Sequence, residues 1–154
     1  MKQQLIKLID SEIWANDVLA KTIENASTSD ERVLLLFSHI TSAYSMWLSR
    51  LTGTEITTTL FAERTLSEAR ALQQNVFAGI KDYLQQADDT ELSRVVHFTF
   101  PLDGSQRKIS VADAILHLVT HSAYHRGQMI ARLKDKVDKL PLTTYIAYAT
   151  EVAG

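Results

Sequence analysis

The sequence predicts an all-α protein: a four-helix bundle with a crossover between helices two and three, a short hairpin or loop before helix four, and a short C-terminal helix. Two observations carry that reading. Four long stretches repeat apolar side chains at helical period, and capping residues stand before three of them. Between the stretches, one Thr-rich segment has no helical pattern and another switches to a period of two. With 154 residues the chain is expected to form a single domain, 1–154, large enough for a real core. In such bundles metal and cofactor sites lie between facing helices.

Composition narrows the chemistry. The formal charge is −2, and Lys and Arg are scattered without a basic stripe, so nothing favours nucleic acid as a partner. The chain has no cysteine, which excludes disulfides, zinc–thiolate sites and a protein thiol nucleophile. Any metal must be held through nitrogen and oxygen, and any thiol must come from outside. The N-terminal stretch MKQQLIKLIDSEIWAND is amphipathic and interrupted by charges, unlike a signal peptide, and no run approaches membrane-spanning length. A soluble cytoplasmic protein without a membrane partner is the expectation.

Residues 2–26 carry the first helix, with Leu5, Ile9, Ile13, Leu19, Ala20 and Ile23 in one stripe. Glu12 and Asn16 fall near the middle of that stripe, so each needs a polar partner inside the bundle or lines a cavity. Trp14 falls on the opposite side and is a candidate for a partner surface. NASTSD, residues 25–30, is a break, and Thr28 with Glu31 gives a capping-box pattern. The second helix is expected from about Asp30 to Thr52, stopped by Gly53. On its wheel His39 lies within about 60° of Leu35, Leu36, Ala43 and Met46, pointing into the apolar side. Residues 53–61, GTEITTTLF, read as the crossover connection.

Thr65 with Glu68 opens the third helix, about Leu66 to Ala87, in which Gly79 marks a kink or a close contact. Val96, Phe98 and Phe100 then alternate before the Asp103-Gly104 turn signal, with His97 on the exposed side. Ser110 with Asp113 opens the fourth helix, which runs to about Asp135. Pro141 suits the first turn of a last helix, Leu142 to Val152.

The fourth helix holds the unusual chemistry. His117, His121 and His125 stand four residues apart, one helical turn each. Two imidazoles one turn apart can share one metal ion, as in HExxH sites, and a third ligand must come from another helix. His39 is the only other histidine in a strong helical pattern. Taking His125 as zero, the apolar arc spans roughly 20° to 140°, with His121 near −40° and His117 near −80°. His117 and His125 are also about 12 Å apart along the axis, too far to share a small ion easily. The pair is His121/His125 or His117/His121, and the angle favours the first.

HSAYHRGQ (residues 121–128), FSHITSAYSMWLSRLTG (residues 37–53) and Trp14-Ala15-Asn16 together resemble the DinB/YfiT-like family of metal-binding four-helix bundles, over nearly the whole chain. The resemblance implies His39, His121 and His125 as the metal ligands and makes His117 a common family histidine that is not a ligand. It further implies a crossover between helices two and three and a homodimer. The chain departs from the family pattern at Thr144, where an acid often follows the proline.

Three histidines leave a tetrahedral ion one open position, as catalytic rather than structural zinc sites do. Ser122 and Ala123 stand between the histidines where HExxH sites carry a glutamate, so the usual base for hydrolysis is missing. Thiol activation asks for less, because a metal-bound thiolate is already deprotonated. Relatives with assigned activities in the resembled family are mostly transferases or isomerases that use low-molecular-weight thiols. The expectation is a thiol S-transferase-like enzyme with zinc, nickel or iron, a small-molecule substrate, and Glu12, Asn16 and Tyr124 as pocket groups. The alternatives are a non-catalytic, stress-related metal or ligand binder and a metal-dependent hydrolase.

Overall fold

A computed structural model describes residues 1–150. The elements in chain order are α1 (Lys2–Glu24), α2 (Glu31–Thr52), α3 (Leu66–Gln86), α4 (Asp89–Ser93), β1 (Val95–Thr99), β2 (Gln106–Ser110), α5 (Val111–Leu133) and α6 (Tyr145–Ala149). The protein is thus mainly helical, with one two-stranded antiparallel sheet. Among the described residues no helix is long and apolar enough to cross a membrane.

The direction of the long helices follows from their contacts. Lys2 Nζ donates to the Gln85 and Ala87 carbonyls, Asp10 pairs with Lys81, and Arg70 reaches Asp17 and Glu24, so α1 and α3 run opposite ways. Thr41 meets Gln73, Tyr44 packs on Phe77, and Leu48 lies against Gly79, so α2 and α3 run the same way. Two parallel neighbours need a link that returns along their length. Residues 54–64 supply it, with Thr58 beside Ser45, the Leu60 carbonyl on His39 and the Ala62 carbonyl on Ser38. Asp30 meets Arg132, His39 meets His121, and Trp47 meets His117, so α5 runs opposite to α2.

Local chemistry explains the boundaries. Thr65 and Glu68 form a complete capping box at α3, and Ser110 caps α5 by accepting from the Asp113 N–H. Gly53 closes α2 in the left-handed conformation, φ 72°. The cap of α2 corrects the expectation of Thr28: the Asp30 carboxylate accepts from the Val33 N–H at 3.1 Å. That charged acceptor is also held by Arg132 and Lys136 from the far end of the chain. Gly79 marks a close contact rather than a kink, since a Cβ there would stand 2.6 Å from Leu48 Cδ2.

The alternating segment forms the expected hairpin, with Gly104 at φ 70° in its turn and His97 exposed. The short helix α4 before it has no counterpart in the sequence reading. The last helix is shorter than expected. Residues 142–144 are not helical, because Thr144 is extended and Thr143 is buried instead of turning outward; Val152 lies outside the described residues. Trp14 does not stand free: its ring packs 5.8 Å from Tyr148 of α6.

The core is shared by all four long helices, with Ile9, Leu19, Phe37, Ile40, Tyr44, Ile80, Leu84, Ile115, Leu118 and Met129 at most 2% exposed. Each fully buried side chain of this size contributes about 1.5–3 kcal/mol. That packing fixes the relative rotation of α2 and α5, and with it the position of the histidines.

Candidate metal centre

His39 is buried on α2, one turn above Leu35 and one turn below Ala43. His121 and His125 project from α5, which packs against it. The Nε2 atoms of His39 and His121 are 3.1 Å apart, as are those of His121 and His125. One ring nitrogen from each of the three lies within 4.8 Å of the other two. A tetrahedral ion with Zn–N bonds of 2.0–2.1 Å would separate its ligand nitrogens by about 3.3 Å. The two distances to His121 Nε2 are within a few tenths of an ångström of that spacing.

The tautomers set this group apart from a hydrogen-bonded trio and make it one that could hold a cation. His39 Nδ1 is 2.9 Å from the Leu60 carbonyl, which can only accept, so Nδ1 carries the proton and Nε2 presents a lone pair. His125 Nδ1 is 2.9 Å from Gln128 Oε1, an acceptor, with the same consequence. Two lone pairs therefore face His121 Nε2, and a single proton there could satisfy only one of them. A divalent ion satisfies all three. His121 Nδ1 is buried without a partner in the protein. These outer contacts are the kind that set ring orientation in metal sites.

Burial favours the neutral form of His121 and His39. Burial pushes the His121 imidazole down to about 3, helped by its histidine neighbours. His39 is also lowered, first by burial and despite its bond to Leu60. Neutral imidazole is the ligating form. Phe61 lies flat on the His39 ring, with centroids 4.1 Å apart and planes 6° apart, and covers its outer side.

The remaining sequence candidates separate. His117 is exposed, its ring 5.5 Å from that of His121, and it is outside the three-nitrogen group. Tyr124 is 65% exposed with its ring 5.2 Å from His125, at the rim of the cluster. Glu12 is engaged elsewhere: its two oxygens accept from Arg126 Nη1 and Nη2 at 2.6 and 2.7 Å, both residues being buried. Ser122 Oγ also accepts from Arg126, and the Tyr44 hydroxyl, pushed well above its usual range by burial beside that carboxylate, donates to Glu12. Asn16 is fully buried, and neither of its amide atoms has a partner in the protein. Neither residue hydrogen-bonds to the three histidines.

Sequence reasoning missed Arg126, Leu60, Phe61 and the role of Gln128. Arg126 had a visible signal, since it falls about 100° from His125, inside the apolar arc, as Glu12 does on its own helix. Leu60 and Phe61 had none, because they act through a backbone carbonyl and a ring on an irregular segment.

A model of the DinB family matches residues 1–151 of the chain. No curated protein matches it.

Proposed function

This chain belongs to the DinB family, and we propose that His39, His121 and His125 hold one divalent metal ion with an open coordination position, where a low-molecular-weight thiol is activated for S-transfer to a small molecule. The observation that carries the reading is the convergence of three Nε2 atoms, two of them held as lone-pair donors by Leu60 and Gln128. Zinc, nickel or iron bound there would supply a Lewis acid that keeps a thiol in its thiolate form near neutral pH. The chain itself orients the three rings, screens His39 with Phe61 and offers Tyr124 at the rim for contact with a substrate.

Thiol transfer is favoured over hydrolysis by what surrounds the histidines. Hydrolysis requires a base beside the attacking water. Ser122 and Ala123 occupy the positions between the paired histidines, and the Glu12 carboxylate is tied to Arg126. The same reading takes the chain as one four-helix-bundle domain with residues 54–64 as its crossover, working as a homodimer. The parallel contacts of α2 and α3 support the crossover.

Metal content by mass spectrometry tests the site in the wild type, His39→Ala, His125→Ala and His117→Ala, each loaded with zinc and then nickel. The expected result is about one ion per chain, lost in the first two variants and kept in the third. Product formation that depends on added thiol and disappears in His125→Ala then tests the reaction. Occupancy without turnover on any thiol would leave a metal binder and remove the enzyme reading.

A further inference from the structure

A recess opens beside the histidine cluster, on two stretches of chain that also build the cluster. It has a volume of about 520 Å³ and is lined by Glu31, Arg32, Leu34 and Leu35 of α2 and by Glu63 and Arg64 at the end of the link. Both stretches lead to it from the candidate metal centre. On α2, Arg32 and Leu35 fall about 20° and 40° from His39, and Arg32 lies about 10 Å from it along the axis. The charge of Arg32 acts on the His39 imidazole. On the link, Leu60 and Phe61 contact His39, and Glu63 and Arg64 follow two residues later.

Arg64 is the unusual lining residue. Its Nη1 donates at 2.8 Å to the hydroxyls of Ser38 and Ser42, both fully buried, so the guanidinium is fixed without a carboxylate. Its Nε and Nη2 have no partner among the described residues, and neither is sealed from solvent. Those two atoms carry the parallel N–H bonds that a carboxylate takes side on. The serine hydroxyls therefore aim the arginine and leave its bidentate edge free. The other charged residues of the recess, Arg32, Glu31 and Glu63, are also outside every ion pair of the described residues. Unpaired charges at a surface are ordinary. A half-buried guanidinium held through one nitrogen, with its open edge in a recess, is a preformed place for an anionic group.

We propose that this recess takes the amino-acid end of the thiol whose sulfur occupies the open position of the metal. Arg64 and Arg32 hold its carboxylate, and Glu31 and Glu63 face its ammonium. The inference rests on the thiol reading above and names the class of thiol. Charge balance sets the end group: two cations and two anions line the recess, and a simple anion would meet both glutamates as like charges. Length sets the rest. The separation of about 10 Å between the levels of Arg32 and His39 is about three residues of extended chain. Free cysteine is too short for that span, and a cysteinyl peptide of two or three residues reaches it. The volume is in the range of small-molecule pockets.

The test uses the full-length, nickel-loaded protein, in which a thiolate on the ion adds a charge-transfer band in the near ultraviolet. Titrations compare glutathione, glutathione acetylated on its amino group, and N-acetylcysteinamide, a neutral thiol of comparable acidity. Glutathione is expected to bind about tenfold or more tightly than the neutral thiol, and the acetylated form to lose about threefold or more of that gain. Arg64→Lys keeps the charge and loses the side-on edge, and Arg32→Gln removes the second cation. Each should lower the preference for glutathione by about tenfold, with nickel still near one ion per chain by mass spectrometry. Arg32 makes no hydrogen bond within the fold, so its variant carries the test if Arg64→Lys does not fold. Absence of the band with every thiol defeats the thiol reading itself, and this assignment with it. A band with all three thiols, but no preference for glutathione, overturns the recess alone. So does a preference that survives acetylation of the amine or that neither arginine variant lowers.

Discussion

The helix α5 carries two polar clusters on adjacent residues, and they solve the problem of burial in opposite ways. Ser122 and Arg126 face α1, where the two terminal nitrogens of Arg126 pair bidentately with Glu12. His121 and His125, each one residue earlier, face α2, where three imidazole nitrogens point at one another. The first cluster holds equal and opposite charge. The second presents lone pairs without a matching set of protons, an arrangement that could hold a cation. One cluster therefore reads as architecture and the other as a binding site, although both are buried, polar and built from the same helix.

The largest effect should come from splitting the buried Glu12–Arg126 pair. Arg126→Met leaves the Glu12 carboxylate buried alone and should destabilise the protein by about 3–5 kcal/mol. Restoring balance with Glu12→Leu in the same chain should recover most of that loss. Urea unfolding of the two single variants and the double variant measures the coupling. Additive losses would mean that the pair is not the unit inferred here.

The histidine cluster should respond differently, through metal rather than through fold. Gln128→Ala removes the acceptor on His125 Nδ1, and loss of such an outer contact typically costs 10–100-fold in metal affinity. Competition with a chelator reads the affinity, and the metal-free protein should unfold at nearly the same urea concentration as wild type. A large stability loss without metal would mean that Gln128 serves packing instead.

Much of this contrast was legible in the sequence, for a physical reason. Helical period exposes which residues share a face, so the i, i+4 histidines and the inward-facing His39 could be found one helix at a time. Partnerships between distant helices are not periodic. Glu12 and Arg126 are 114 residues apart; Glu12 appeared only as a polar residue within an apolar stripe, and Arg126 was missed. The irregular link was legible as non-helical but not in its contacts, so the Leu60 carbonyl and the Phe61 ring were invisible. The cap of α2 was misread because Asp30 draws Arg132 and Lys136 from across the fold, which no local motif encodes.

His121 is held near pKa 3 in the folded protein, against about 6.5 when unfolded. Between those values the unfolded chain binds a proton that the folded chain refuses, so stability is fully present above about pH 6.5 and is lost as pH falls toward 3. At pH 5 the loss from one such group is about 1–2 kcal/mol. Urea midpoints of the metal-free protein at pH 7.5 and 5 should show it, and His121→Phe should flatten the slope.

The smallest effect is expected where an ion pair resembles the buried one but reaches water. Asp30 caps α2 and accepts from Lys136 at 2.6 Å and Arg132 at 3.2 Å, and these bonds hold its carboxyl well below the usual range, with Lys136 the largest cause. Both cations keep solvent contact, Arg132 being 51% exposed and Lys136 30%. When Asp30→Asn removes the charge, they can therefore rehydrate, and the amide oxygen can still cap the helix. A loss of about 1 kcal/mol is expected, shrinking as salt is raised. The depressed carboxyl contributes stability above about pH 3.8 and loses it as the pH falls through its folded value, so wild type and variant should converge in strong acid. A loss as large as that of Arg126→Met would show that exposure of the cations does not set the difference, and that the cap itself anchors the end of α5 to the start of α2.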